Sequence, residues 1–319
     1  MTKKTSNKNG LIELFRFLCS LWVAYYHGFS PILSDKFDGV NISVDFFFMV
    51  SGLFFLQSIK KYEEKPFLEG IHHIFWGRTK SFIVPLIIAA SSILFCNLYF
   101  ELDFGGFNWP LSFLWFFAAQ FVYLTVFYIL LKLIKRRSFF NLACVIIICI
   151  SMSLVLFMSK SFAKQFGHVF RGPAMLALGM LVSQIPQIKT RLNDEVKAKK
   201  LSIVVNTFGF TITALVFIYL AYLPEYALWK AHLFTCIVCP LLLYFALGLP
   251  VRSKFLNLLG EISIFIYLAQ CPILIHHYGV SDNTKDQFPL FCVCIVAMFV
   301  INRIVNYIAK QRQQNKQLA

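Results

Sequence analysis

Long apolar runs separated by short polar segments constrain this chain more than any other feature of its sequence. Runs of roughly 18 or more apolar residues are long enough to cross a bilayer as helices. The composition agrees, because 58% of the residues are hydrophobic and 14% are charged, whereas a soluble domain has about a quarter charged residues. We therefore predict an all-α fold, a polytopic membrane helix bundle of ten spans. The spans cover approximately residues 11–29, 42–59, 82–100, 111–131, 139–158, 169–188, 201–223, 229–249, 255–275 and 289–309.

The distribution of Lys and Arg predicts the orientation of the bundle. Ten spans place both termini on one side, and that side holds 23 of the 30 Lys and Arg residues. The other side holds 6, and Arg16 lies within the first span. Because cytoplasmic loops collect Lys and Arg, we expect both termini in the cytoplasm. The net charge of +15 then reflects loop clusters, and we predict no nucleic-acid partner.

The chain is predicted to form one domain over residues 1–319, with short cytoplasmic tails at about 1–10 and 310–319. No loop between the spans is long enough to form a second domain. The nine cysteines lie in apolar runs, without the paired Cys-x-x-Cys or spaced histidines of a zinc site. We interpret them as apolar side chains and predict no metal site. Any chemistry is therefore expected within the bundle or at its mouths.

The first span contains ionisable residues, which are costly inside a bilayer and therefore indicate a functional site. Its segment RFLCSLWVAYYH begins at Arg16 and ends at His27. At about 100° per residue, the eleven steps between them are nearly three turns, which places both on one face with a rise of roughly 16 Å. Glu13 precedes Arg16 by one turn and can neutralise it.

The second span carries Asp45 about one turn from its outer end, within ISVDFFFMVSG. Since the loop 30–41 joins the two spans, we expect His27 and Asp45 at similar depths on antiparallel helices. A carboxylate beside an imidazole fixes its tautomer, as suits a general base that deprotonates a hydroxyl. Other interpretations stay open: an interfacial histidine, a snorkelling anchor at Arg16, and a helix N-terminal charge at Asp45.

Two further segments combine polar and apolar residues. GRTKSFIVPL places Arg78 and Lys80 before the third span, where they could hold the phosphates of a nucleotide-like cofactor or be ordinary positive-inside residues. LGEISIFIYLAQ carries Glu261 and Gln270, which could equally form hydrogen bonds between helices.

Four elements in this order resemble the acyltransferase-3 family of bacterial integral membrane acyltransferases. They are the Arg16-ten-His27 spacing, the stretch GVNISVDFFFMVSG, Arg78 before the third span, and LGEISIFIYL near the end. The resemblance covers essentially the whole chain. It implies a ten-helix protein of the bacterial cytoplasmic membrane that moves an acyl group, usually acetyl, from acyl-CoA to a hydroxyl of a surface glycan or glycolipid. Acetyl-CoA would be a co-substrate, and no cofactor would be permanently bound.

The resemblance also implies roles for individual residues. His27 would be the essential base, with Arg16 and Asp45 as further catalytic residues. The residues expected to bind acyl-CoA are Arg16, Arg78 and Lys80. From the sequence itself, Ser51, Glu261 and Gln270 are candidates for binding substrate, and Ser51 is also a candidate for binding the oxyanion that forms on the thioester. The chain departs from the family pattern twice, with Ser81 in place of a second arginine and Gln270 in place of a histidine.

Other classes of protein fit the same ionisable residues. A non-enzymatic transporter or flippase of a lipid-linked glycan would also place Arg and His within spans. A structural partner in a glycan-assembly complex would leave His27 and Asp45 without a role. Consumption of acetyl-CoA separates the enzyme from both.

Overall fold

The computed structural model describes residues 9–29, 39–79, 83–100, 115–157, 160–187, 195–222, 228–249, 251–279 and 284–318. Within these ranges, the regular structure consists of eleven α-helices and one 3₁₀ turn, Lys60–Tyr62. The helices are α1 Gly10–Phe29, α2 Gly39–Ile59, α3 Phe67–Thr79, α4 Ile83–Phe100, α5 Trp115–Leu133, α6 Arg137–Phe157, α7 Lys160–Val182, α8 Glu195–Ala221, α9 Leu228–Gly248, α10 Lys254–Gly279 and α11 Thr284–Leu318. The predicted all-α fold class is therefore confirmed. Ten of these helices overlap the ten predicted spans, and α3 is additional.

Within the described ranges, five helices are long and apolar enough to cross a bilayer, as expected of a membrane protein. The spanning segments are Ile42–Ile59, Phe116–Leu133, Arg137–Phe157, Glu195–Ala221 and Phe288–Ile308. Large apolar side chains on the outside of these helices are exposed, including Phe157, Phe208 and Val293. Such side chains suit an environment of lipid tails. The count of ten spans and the location of the termini stay predictions.

Five polar segments gather at one end of the bundle, which we call the basic end. These segments are residues 9–10, 60–66, 132–137 and 183–187, together with residue 249 and residues 251–254. Hydrogen bonds connect them, from Asn9 to the carbonyl of Leu249, Tyr244 to Pro186, Arg137 to Gln184 and Lys132 to Lys65. The N-terminus and the segments 60–66, 132–137 and 252–254 were predicted on the cytoplasmic side, and residues 183–187 at the end of the predicted span 169–188. Their meeting agrees with the predicted alternation of the helices.

Helices α2 and α7 run parallel and touch through glycines. A Cβ atom on Gly52 would overlap the carbonyl oxygen of Leu176, and one on Gly179 would overlap that of Met49. Glycine is needed at both positions because backbone atoms, unlike the ends of side chains, cannot move aside. Small residues allow such close approach of helices within membranes. This contact fixes the height of α7 relative to α2.

Helix α3 returns from the basic end into the bundle. It runs antiparallel to α5, because Phe67 stacks on Tyr128 with ring centres 5.6 Å apart, and Phe75 contacts Phe121 at 4.8 Å. Arg78 follows Phe67 by eleven residues, so its backbone lies roughly 16 Å further along this axis. The backbone of Arg78 therefore lies away from the basic end, and its role in binding acyl-CoA stays a prediction.

Candidate functional site

Polar contacts hold the beginning of α1 against the end of α9 and the residues just before α10. Asn9 caps the helix by accepting a hydrogen bond from the backbone of Leu11 at 3.0 Å. Its amide donates to the carbonyls of Ala246 at 2.6 Å and Leu249 at 2.9 Å. The backbone N–H of Gly10 donates to Val251 at 2.8 Å. The position of α1 along α10 is therefore fixed at its first turn.

One turn later, Glu13 and Arg16 form an ion pair against α10. Arg16 Nη1 donates to Glu13 Oε2 at 2.8 Å, which confirms that Glu13 can neutralise Arg16. The Glu13 side chain is 3% exposed and that of Arg16 is 29% exposed. Glu13 lies against Gly260, where a Cβ atom would overlap its carboxylate. The pair leaves the guanidinium of Arg16 partly accessible while its charge is compensated.

The contacts of α1 with α10 show that these two helices run parallel. Glu13 meets Gly260, and further along Ala24 packs in one apolar cluster with Ile266 and Ala269. His27 lies one turn beyond Ala24 within the continuous helix α1. The side chain of His27 is outside the described part of the structure, so its position is taken from the helix backbone alone.

Asp45 and His27 do not lie at the same depth, contrary to the expectation. The Cys19 thiol is within hydrogen-bonding reach of Ser43, and the rings of Phe15 and Phe46 are 6.1 Å apart. Asp45 therefore lies beside the segment of α1 from residue 15 to residue 19. His27 follows Cys19 by eight residues, or roughly 12 Å along the helix. The length of the loop did not predict this offset, because α2 begins only about two turns before its contact with Phe15, whereas α1 continues for about four turns beyond Phe15.

Asp45 instead belongs to a buried polar cluster formed by α2, α7 and α9. Arg171 Nε donates to Asp45 Oδ1 at 3.2 Å, and Arg171 Nη1 contacts His232 Nε2. His232 Nδ1 lies 3.2 Å from Asp45 Oδ2. Asp45 is 1% exposed, and Arg171 and His232 are 4% exposed each. We call these three residues, together with Thr235, the Asp45 cluster.

The donors and acceptors of the Asp45 cluster determine its protonation. A guanidinium can only donate, so Nε2 of His232 must accept, and the ring proton lies on Nδ1 and points to Asp45. Thr235 Oγ1 is 3.5 Å from Asp45 Oδ2 and donates to the carbonyl of His232 at 2.8 Å. The cluster thus contains one anion, one cation and one neutral imidazole. Its net charge is zero, and this pairing of opposite charges offsets part of the free-energy cost of burying them.

Arg171 and His232 were not selected from the sequence. Arg171 was counted as a charge on the outer side, but it is buried within α7 beside Gly172 and Pro173. His232 lies in the second turn of an apolar helix. The rule that selected Arg16 and His27, that an ionisable group within a span indicates a site, would have found both. Their pairing with Asp45 could not have been found in this way, because it depends on how the helices pack.

Ser51 lies on the side of α2 that faces α5, where Gln120 Nε2 donates to its hydroxyl oxygen. It follows Ser43 by eight residues in the direction opposite to that from Cys19 to His27. Ser51 and His27 are therefore separated by roughly 24 Å along the helix axes. The two positions cannot serve the same acyl group.

Glu261 and Gln270, both on α10, have different environments. Glu261 is partly exposed and paired with Arg303 of α11. Gln270 is 1% exposed, and neither Nε2 nor Oε1 has a hydrogen-bond partner among the described residues. One turn before it, Tyr267 packs on Phe117 with ring centres 5.6 Å apart. Gln270 is thus an amide enclosed in a largely apolar environment.

The residues expected to bind acyl-CoA are only partly described. Arg16 has the position given above, and Arg78 lies in the last turn of α3, with a side chain outside the described residues. Lys80 also lies outside them. The structure therefore gives the heights of Arg16 and Arg78 on their helices but does not test their contact with a nucleotide.

Residues 9–305 match the sequence model of the acyltransferase-3 family, whose description is an acyltransferase domain. The match covers α1 through most of α11. No curated protein and no solved structure matches the chain.

Proposed function

Because this chain belongs to the acyltransferase-3 family over residues 9–305, we propose that it transfers an acetyl group from acetyl-CoA to a hydroxyl of a cell-surface or lipid-linked glycan. Membership of this family makes the protein a membrane acyltransferase. We further propose that acetyl-CoA is the donor, that a glycan is the acceptor, that His27 is the base, and that the protein lies in the bacterial cytoplasmic membrane.

The observation that carries the proposal is the anchoring of α1. Asn9, Gly10 and Glu13 fix this helix on α9 and α10, and the helix is continuous to Phe29. Arg16 and His27 therefore keep a fixed separation of roughly 16 Å on one face. An acyl donor whose polar end binds near Arg16 has its reactive end further along this face, toward His27.

His27 acts as the general base in the proposed reaction. It takes the proton of the acceptor hydroxyl as the oxygen attacks the carbonyl carbon of the thioester, and a carbon–oxygen bond forms. The tetrahedral intermediate then breaks its carbon–sulfur bond. The leaving thiolate of CoA takes the proton back from the imidazolium of His27. The products are the acylated glycan and CoA, with no change of oxidation state.

Asp45 has a different part in this scheme from the one expected. Its carboxylate is engaged by Arg171 and His232, and it lies roughly 12 Å from the level of His27. We assign Asp45 to the positioning of α2, α7 and α9 around the path. Orientation of the His27 imidazole is left to groups nearer to it.

The residues that bind the donor are proposed to be Arg16, Arg78 and Lys80. Guanidinium and ammonium groups suit the phosphates and pyrophosphate of CoA. Arg16 suits this role because its charge is balanced by Glu13 while its side chain stays 29% exposed. Because α3 runs from the basic end into the bundle, the backbone of Arg78 lies away from the basic end.

The test compares cells that carry the wild-type protein, His27→Ala and Arg16→Ala at equal levels of inserted protein. Mass spectrometry of the surface polysaccharide should show the mass of an acetyl group with wild-type protein and lose it with His27→Ala. Acylation that persists with inserted His27→Ala protein would rule out the base. A flippase would instead move glycan without loss of thioester, so release of CoA thiol from acetyl-CoA by purified protein separates the two classes.

A further inference from the structure

Gln270 combines deep burial with unmet hydrogen-bonding capacity. Its side chain is 1% exposed, and both Nε2 and Oε1 are without partners among the residues that the structure describes. A buried amide without partners is costly, and in native proteins it calls for a specific explanation. Asn257 on the same helix has one buried amide oxygen without a partner, but among the described residues only Gln270 has both amide atoms unpaired. The buried hydroxyl of Ser263 donates to the carbonyl of Gly260 at 2.8 Å.

The parallel packing of α1 and α10 places Gln270 near the level of His27. Glu13 meets Gly260, and Gln270 follows Gly260 by ten residues while His27 follows Glu13 by fourteen. The difference of four residues is about 6 Å along the axis, close to one helical turn. Independently, Ala24 shares an apolar cluster with Ala269, the residue before Gln270.

The two positions also belong to the faces on which these helices meet. At about 100° per residue, position 27 is within roughly 60° of position 24 on α1, and position 270 is within roughly 40° of position 266 on α10. Ala24 and Ile266 belong to the cluster that joins the two helices. A group bound between α1 and α10 at this height can therefore be reached from both helices.

We propose that the Gln270 amide donates from Nε2 to the carbonyl oxygen of the acyl thioester, and so binds the oxyanion that forms when the acceptor hydroxyl attacks. This inference rests on the proposed function. As the hydroxyl oxygen bonds to the carbonyl carbon, the carbonyl π pair moves to oxygen, where Nε2–H stabilises it. The pair returns when the carbon–sulfur bond breaks.

Gln270 meets the requirements of such a donor better than Ser51. Ser51 lies roughly 24 Å from the level of His27 and already accepts from Gln120. Preorganised donors contribute most where water is excluded, because no reorganisation is needed as charge develops. The burial of Gln270 supplies that condition. Without substrate the Gln270 amide has no partner, and this loss of stability follows from its proposed role as a donor to the substrate.

The experiment measures release of CoA thiol from acetyl-CoA by full-length protein in lipid nanodiscs, together with acetylation of the surface polysaccharide in cells. The variants are Gln270→Leu and Gln270→Met, which both remove the amide donor; methionine also keeps the length of the side chain. Asn206→Leu is the matched control, because Asn206 is also a buried amide with an unpaired oxygen among the described residues. It lies on α8 near Gly248, close to the basic end.

We expect Gln270→Leu and Gln270→Met to lower kcat about 100- to 1,000-fold with the KM for acetyl-CoA changed less than threefold. Gln270→Leu should keep or raise Tm, because an apolar side chain removes the unpaired amide. Asn206→Leu should leave kcat within about threefold. If Gln270→Leu retains the wild-type kcat, or if it loses activity only together with Tm, the oxyanion role is wrong. If wild-type protein neither releases CoA nor acetylates glycan, the proposed function itself fails.

Discussion

The carboxylate of Glu13 occupies space that is available only because residue 260 is a glycine. A Cβ atom at Gly260 would overlap Oε2 of Glu13, which in turn holds Arg16. A glycine on α10 therefore controls the position of a cation on α1. The glycine of the segment LGEISIFIYL therefore leaves the space that the Glu13 carboxylate fills.

Replacement of Gly260 by alanine should displace Glu13 and loosen Arg16. Overpacking of this kind costs about 1–3 kcal/mol of stability, and the KM for acetyl-CoA should rise because Arg16 loses its fixed position. Thermal unfolding in detergent and CoA-release kinetics measure the two effects. Leu258→Ala on the exposed side of the same helix is the control. An unaltered KM in Gly260→Ala would show that Arg16 does not depend on this contact.

Glu13 and Arg16 should be energetically coupled. Glu13→Gln leaves the charge of Arg16 without its counter-ion, and Arg16→Met leaves Glu13 buried and unpaired. The double variant removes both charges, so it should be more stable than the sum of the single effects by about 1–3 kcal/mol. A double-mutant cycle by thermal or denaturant unfolding gives this energy. Additive effects within about 0.5 kcal/mol would contradict it.

Disruption of the Asp45 cluster by Asp45→Asn should be strongly destabilising. Arg171 would remain buried beside a neutral amide, and breaking a buried pair on one side costs about 3–5 kcal/mol. Thr235→Val is the control, because its hydroxyl bonds mainly to the carbonyl of His232 and should contribute about 1 kcal/mol or less. Unfolding of both variants in the same detergent gives the comparison.

Replacing the whole cluster should cost less than breaking it. The triple variant Asp45→Leu, Arg171→Met, His232→Leu removes all its ionisable side chains and leaves no buried charge uncompensated. We expect it to unfold at a higher temperature than Asp45→Asn. A triple variant less stable than Asp45→Asn would show that the cluster contributes net stability as a unit.

The glycines between α2 and α7 should tolerate substitution less well than a glycine elsewhere in the bundle. Gly52→Ala and Gly179→Ala place a methyl group on backbone atoms, whereas Gly209→Ala meets the ring of Phe245, which can rotate. We expect losses of about 1–3 kcal/mol for the first two and less for the third. Equal Tm values for all three would contradict the close packing of α2 on α7.

Much of the fold follows from local properties of the sequence. The apolar runs predict helices that overlap ten of those described, and the three-residue spacing of Glu13 and Arg16 predicts their ion pair. Helix α3 was missed because its 13 residues mix apolar side chains with Glu69, His72 and Arg78, too short and too polar for a span.

The partners of Asp45 could not be predicted in the same way. They depend on which helices pack together, and the contacts of Gly52 and Gly179 that bring α7 onto α2 are between residues far apart in sequence. The sequence suggested His27 as the partner of Asp45, because α1 directly precedes α2 in the chain. The packed structure places Asp45 away from the level of His27, because the contacts of Phe15 and Cys19 fix the register of α1 on α2.

The Asp45–Arg171 pair also bears on how the protein is made. The guanidinium that neutralises Asp45 is encoded 126 residues later, which at about 5–20 residues per second is a wait of roughly 6 to 25 s during synthesis. His232 follows 187 residues after Asp45. Until α7 has left the ribosome, the second helix has a carboxylic acid without its permanent partner. Insertion of this helix must then be supported by the insertion machinery or by protonation of the Asp45 carboxylate. We expect quality-control proteases to remove nascent chains that stop before α7.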